Sequence, residues 1–166
     1  MSDIQLHQNS FEILERKALT LSKSSIIPAA LKNKPADIAV ILMMAMELDI
    51  PQIQALGGIN VIQGRASISP QLMIAMIRRK IPSAVIKIND GNLKCECFMA
   101  RGSSQLELEQ GFTAHWDMER AKKMGLSTKD NYLKQPGTML RWRAVGEAAR
   151  IIFPDILSGL YLPDEL

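Results

Sequence analysis

The sequence predicts an α+β fold: a small antiparallel sheet, made of one hairpin and a three-stranded meander, with helices packed against it. Two turn signals, Gln63-Gly64 and Asp90-Gly91, each stand between short runs suited to strands. Helical periodicity governs much of the rest, from about Phe11 to Ser22, Pro35 to Leu48, Pro70 to Lys80 and Thr138 to Ile152. A composition of 47% hydrophobic and 22% charged residues is that of a folded chain, and 166 residues suffice for one domain with a true core.

Residues 1–10 are polar and are expected to be loose. The first helix then places Phe11, Leu14, Ala18 and Leu21 on one face. Pro28 interrupts the chain, and Pro35 starts a second helix, because its fixed φ suits a first helical position and Asp37 suits the dipole there. That helix, through IAVILMMAMEL, is apolar nearly all round, which predicts a place in the core or partial burial against another subunit. A turn at Gln63-Gly64 would pair Ile59 with Ile68, Asn60 with Ser67 and Val61 with Ala66, gathering Asn60, Arg65 and Ser67 on a polar face. Ser69 then caps a helix opened by Pro70, and Arg78, Arg79 and Lys80 close it, where cations complement the dipole whatever else they bind.

In the second hairpin, a turn at Asp90-Gly91 sets Ile88 opposite Leu93, Ile86 opposite Cys95 and Ala84 opposite Cys97. Both cysteines then face the core, and Lys87 and Lys94 stand opposite each other outside. A third strand is expected over about Gln105 to Trp116, with Leu106 and Leu108 alternating against Glu107 and Glu109. Asp117 caps a short helix that Gly125 ends.

Catalytic chemistry finds little material in this inventory. His115 is the one histidine near predicted elements, and Cys95 and Cys97 lack the spacing of a zinc site or a disulfide framework. No GxxxxGK[ST] loop occurs, and Gly57, Gly58 and Gly64 surround a strand rather than join a strand to a helix. No enzyme activity, metal or cofactor is expected. The start lacks the pattern of a signal peptide, and the run from Ile38 to Met46 is about half a membrane span, so a soluble cytoplasmic protein with no membrane partner is expected.

Charge points to a binding function. Residues 1–70 hold six basic and six acidic side chains, residues 71–150 fourteen and eight, and residues 151–166 none and three, so the net charge of +3 divides into 0, +6 and −3. A +6 block favours anionic partners without choosing among DNA, RNA and acidic protein. Its most informative part is the last long helix. Trp142, Val145, Ala149 and Ile152 share one stripe, expected to pack, while Met139, Arg143, Gly146 and Arg150 share another, expected to offer guanidinium groups. With Arg141 beside them and Lys134 upstream, these arginines suit phosphate oxygens. The simpler account of this helix alone is a solvated face on which Arg143 and Arg150 pair with Glu147.

The order of motifs adds a family resemblance. The series KPADIAVILMMAMELDIPQIQALGGINVIQGRASISPQLMIAMIRR, TAHWDMERAKKMGL and NYLKQPGTMLRWRAVGEAARIIFPDILSGLYLPDEL, over roughly residues 26–166, resembles the RecT family of phage and prophage recombinases. Its most specific parts are the step from the apolar helix into the GINVIQG hairpin and the P-x-x-M-L-R-x-R-A helix that ends in F-P-D. The resemblance implies a RecT/Redβ-like annealing fold and a protein that binds single-stranded DNA and anneals complementary strands in phage-type homologous recombination without ATP. It also implies assembly into rings or filaments, with a phage exonuclease and a host single-strand binding protein as possible partners. Carried across by motif, the DNA-binding set is Arg65, Arg79, Lys134, Arg141, Arg143 and Arg150. Holding the backbone leaves base edges open for pairing, which fits a chain rich in cations and poor in base-reading groups.

Two other classes compete. A duplex-binding regulator would use MELDIPQIQALG as a helix-turn-helix, although the hairpin signal after Gly58 leaves no room for a recognition helix. A structural phage protein would self-associate through the methionine-rich helix and bind no DNA.

Overall fold

The computed structural model describes residues 3–62, 65–91, 93–157 and 160, with residues 3–10 as backbone only. It shows an α+β chain with two small antiparallel sheets, one of two strands and one of three. The chain divides into two compact units, one up to Ser67 and one from Ile68 on.

In the first unit, helix α1 (Asp3–Ser22) begins well before Phe11, so its backbone is already helical in the segment expected to be loose. A 3-10 turn (Ala29–Leu31) leads to α2 (Pro35–Glu47), α3 (Gln52–Gly58) and strands β1 (Ile59–Ile62) and β2 (Arg65–Ile68). Pro35 opens α2 with Asp37 in its first turn, as expected. The core gathers Leu14 and Ala18 from α1 with Ile38, Ile41, Leu42 and Ala45 from α2, and α3 adds Ala55 and Leu56. Apolar sequence all round α2 does not mean burial all round, since Val40, Met43 and Met46 remain exposed on its other side. With Phe11 and Ile13 of α1, the two methionines line an open apolar groove. The turn at Gln63-Gly64 lies outside the described residues. Ser67 is buried rather than on a polar surface, and its hydroxyl donates to the carbonyl of Asn60 at 3.3 Å, which satisfies it.

The second unit opens with α4 (Pro70–Lys80), where the Ser69 hydroxyl accepts from the backbone N–H of Leu72 at 3.2 Å. Strands β3 (Val85–Gly91) and β4 (Lys94–Ala100) follow. Their register differs from expectation: Ile86 stands opposite Met99, Ile88 opposite Cys97, Asp90 opposite Cys95 and Gly91 opposite Lys94. The chain therefore reverses two residues later than an Asp90-Gly91 turn would require, with Leu93 at φ 61°. An even displacement preserves which side chains share a face, so Cys95 and Cys97 still point into the core. Lys87 and Lys94 are not opposite each other, since Lys87 faces Phe98 and Lys94 faces Gly91 and Asp117.

A second difference follows Gly102. The segment from Gln105 forms helix α5 (Gln105–Glu109) instead of starting a strand, and β5 (Phe112–Asp117) begins later. A capping box explains it: the Ser104 hydroxyl accepts from Glu107 N–H at 3.3 Å while the Glu107 carboxylate accepts from Ser104 N–H at 3.2 Å. The alternation of Leu106 and Leu108 with Glu107 and Glu109 is thus on a short helix. Then come α6 (Met118–Lys123), capped by Asp117 and ended by Gly125 at φ 70°, α7 (Asp130–Lys134), α8 (Pro136–Ile152) and α9 (Pro154–Leu157).

Helix α8 lies on the inner face of β4 and β5, and α4, α7 and α9 pack around it. Cys97, Met99, Ala114 and Trp116 of the sheet meet a helix whose Leu140, Ala144, Val145 and Ala148 are fully buried. Small side chains at 144, 146, 148 and 149 let the helix sit close to the strands. Its C-terminal end is clasped by Arg101, which donates to the Ile152 carbonyl at 3.1 Å and makes a two-point pair with Asp155 at 2.7 and 2.9 Å. This gives the F-P-D segment a structural role. Arg101 holds the Asp155 carboxyl below its ordinary value of 3.8. That contribution is therefore full above the ordinary value and disappears as the pH falls through the lower value of the folded protein. Both side chains are about half exposed, so Arg101→Ala is expected to cost only about 0.5–1 kcal/mol at neutral pH in a urea titration. The Asp155 share of the deficit should vanish in strong acid, while the share from the Ile152 carbonyl remains.

Candidate nucleic-acid interface

The arginines of α8 are placed by their neighbours on the sheet. Arg141 reaches the end of β3, where its Nε donates to Asp90 at 2.7 Å, and its guanidinium also lies 5.7 Å from the ring of Trp142. The hydrogen bond from Arg141 is the main cause that holds the Asp90 carboxyl below the usual carboxylate range. Arg143 is buried, with its guanidinium 5.5 Å from the ring of Trp116. The stripe expected to present arginines to solvent is therefore largely a packing stripe. Gly146 is buried on it and Arg150 is half-buried, and Trp142, assigned to the packing stripe, is half-buried as well. The reason is that α8 is covered on most of its circumference, so periodicity identifies shared faces but not which face meets water.

The contacts of Glu147 reach beyond its own helix. It accepts from the indole N–H of Trp116 at 2.5 Å and from Arg120 on α6, with Arg120 Nη1 and Nη2 at 2.9 and 3.1 Å. Arg120 also donates to the carbonyl of His115 at 2.7 Å and lies 4.2 Å from the Trp116 ring centre. Trp116 is thus within cation–π range of two guanidinium groups, one from α6 and one from α8, with the Glu147 carboxylate beside it. The sequence singles out neither Arg120 nor Trp116, and Glu147 only as a neighbour of Arg143 and Arg150 on its own helix. The available signal was that Trp116 ends a strand with Arg120 one helical turn later, but nothing local to them names Glu147.

The remaining expected residues stand elsewhere. Arg79 is exposed in the last turn of α4, between Arg78 and Lys80, which are also exposed. Lys134 is exposed at the end of α7 and pairs with Asp130 at 2.8 Å. Arg65 is exposed on β2 of the first unit. Among the described residues, no group of three or more histidine, cysteine, aspartate or glutamate side chains is arranged to hold a metal ion. Burial pushes the Cys95 and Cys97 thiols up to about 12, and Asp90 adds to the shift at Cys95. Neither thiol is a ready nucleophile at neutral pH.

No helix among the described residues is long and apolar enough to cross a membrane. No family model, curated protein or solved structure matches the chain.

Proposed function

We propose that this protein binds single-stranded DNA and anneals complementary strands without ATP, in the manner of the RecT family, with no catalytic residue of its own. The observation that carries the proposal is the distribution of cations. Between residues 71 and 150 most basic side chains stand in solvent, including Arg78, Arg79 and Lys80 on α4 and Lys122, Lys123 and Lys129 on and after α6, while Arg143 is buried. Such a surface neutralises phosphates and leaves base edges free. Arg65, Arg79 and Lys134 serve as direct backbone contacts, Arg141 and Arg150 are partly accessible to phosphate, and Arg143 acts from within the fold. Assembly into rings or filaments, cytoplasmic location, and cooperation with a phage exonuclease and a host single-strand binding protein belong to the same proposal.

Two complementary oligonucleotides, one with a fluorophore and one with a quencher, test it. Mixing them with the protein and no ATP should accelerate quenching well beyond the protein-free rate. An unchanged rate would overturn the annealing function. The exposed apolar residues Val40, Met43 and Met46 favour a second function, self-assembly without DNA. Light scattering separates the two, since only the annealing protein should change its assembly when oligonucleotide is added.

A further inference from the structure

Strand β4 turns Cys95, Cys97 and Met99 into the core, and by the same alternation it turns Lys94, Glu96 and Phe98 to the outer face of the sheet. An aromatic ring therefore stands on that outer face in the central strand, with Lys87 of β3 opposite it on one side and Thr113 of β5 on the other. The next rung carries Asn89, Glu96 and His115. With Leu108 of α5, the side chains of Lys87, Asn89, Glu96, Phe98 and Thr113 line a concavity of about 430 Å³. That size is within the roughly 300–1,000 Å³ of sites that take small ligands. Phe98 is half-buried, and its ring edge rests against Gly111, where a Cβ would come within 2.5 Å of Cε2 and Cζ. Glycine at that position gives the ring its seat. An apolar stretch of protein placed here would leave Lys87, Asn89 and Thr113 unpaired, whereas a flat ring with an apolar face and a polar edge would not. Glu96 already pairs with His115 at 3.2 Å, while Lys87 is exposed and joins no ion pair among the described residues.

We infer that this concavity binds one nucleotide of single-stranded DNA, its base stacked on Phe98 and its phosphate held by Lys87. The inference rests on the proposed single-strand binding and adds a base-stacking point to a surface that otherwise holds phosphates. Lys87 and Phe98 are direct cross-strand partners, and side chains so placed are close enough to serve the phosphate and the base of a single nucleotide. One cation for one phosphate and one ring for one base is the charge and shape complement of that ligand. Every base has a π-face, so such a point takes any sequence, and the neighbouring bases stay open for pairing. The competing account gives Phe98 the sole task of fastening α5 to the sheet through Leu108 and Gly111. It predicts a stability loss without Phe98, but no part for the ring in binding.

Fluorescence anisotropy with a labelled oligonucleotide decides between them. Phe98→Leu keeps an apolar side chain against Gly111 and Leu108 and removes the π-face, and it should weaken single-strand binding roughly five- to tenfold. The slope of log K against log salt should stay as it is in that variant, because no phosphate contact is lost. Lys87→Gln should instead flatten the slope by about one. On the unaltered protein, irradiation with an oligonucleotide that carries 5-iodouracil, followed by mass spectrometry, should place a cross-link on Phe98. This readout decides the matter even if Phe98→Leu folds poorly. Parent-like binding by a folded Phe98→Leu, a slope unmoved by Lys87→Gln, or cross-links that avoid Phe98 would each overturn the inference while leaving single-strand binding intact. Absence of binding by the unaltered protein would overturn both.

Discussion

Phe153→Ala is expected to remove about 3–5 kcal/mol of folding stability, the largest loss anticipated from a single side chain in this protein. Phe153 is fully buried at the end of α8. Its backbone N–H closes the last turn on Ala149 at 2.8 Å, and its carbonyl accepts from Ile156 and Leu157 at 3.1 and 3.2 Å, so one residue joins α8 to α9. The Arg101 guanidinium lies 5.6 Å from its ring. Alanine keeps the backbone bonds but leaves a cavity beside a helix already fitted closely to the sheet, where the surroundings have little freedom to collapse. With typical domain stability of about 5–15 kcal/mol, such a loss should move the urea midpoint markedly or prevent folding. A midpoint within error of the parent protein would show that Phe153 does not anchor the unit.

The second large effect concerns binding. Arg79→Ala combined with Lys134→Ala should lower single-strand affinity by about an order of magnitude on every sequence, and should flatten the dependence of log K on log salt by about two. Both side chains are exposed, so the loss should come without a change in melting temperature. Titrations at several salt concentrations measure the slope directly. If the slope holds while affinity falls, these cations act indirectly; if neither changes, they are not contacts.

The accuracy of the sequence-based expectations follows the range of the interactions involved. Ser69, Pro70, Asp117 and Gly125 each act within one helical turn, and each marks the boundary expected of it. Around Leu106 and Leu108 the expectation followed the alternation alone, whereas the Ser104-x-x-Glu107 box, equally local, governs the structure. The second hairpin shows a different limit. Asp90-Gly91 is a strong turn pair, but Asp90 is held in β3 opposite Cys95 with Arg141, 51 residues away, bound to its carboxylate. No local pattern encodes that. The same holds for the interface, where the set chosen from α8 contained Arg141 and Arg143, but the partners that orient this face, Asp90 and Trp116, come from strands. Glu147 was legible only as a neighbour of arginines on its own helix, whereas its carboxylate turns toward Trp116, 31 positions earlier.

The inward placement of Cys95 and Cys97 gives the molecule an intrinsic gauge of its own opening. Burial pushes both thiols up to about 12, so in the closed fold they are protonated at pH 7 as well as covered. A maleimide or disulfide reagent would therefore modify the chain only through openings in which β4 parts from its neighbours, following their rate where labelling outpaces reclosing and their population where it does not. Alkylation kinetics would then report how often this sheet breathes, with no engineered label.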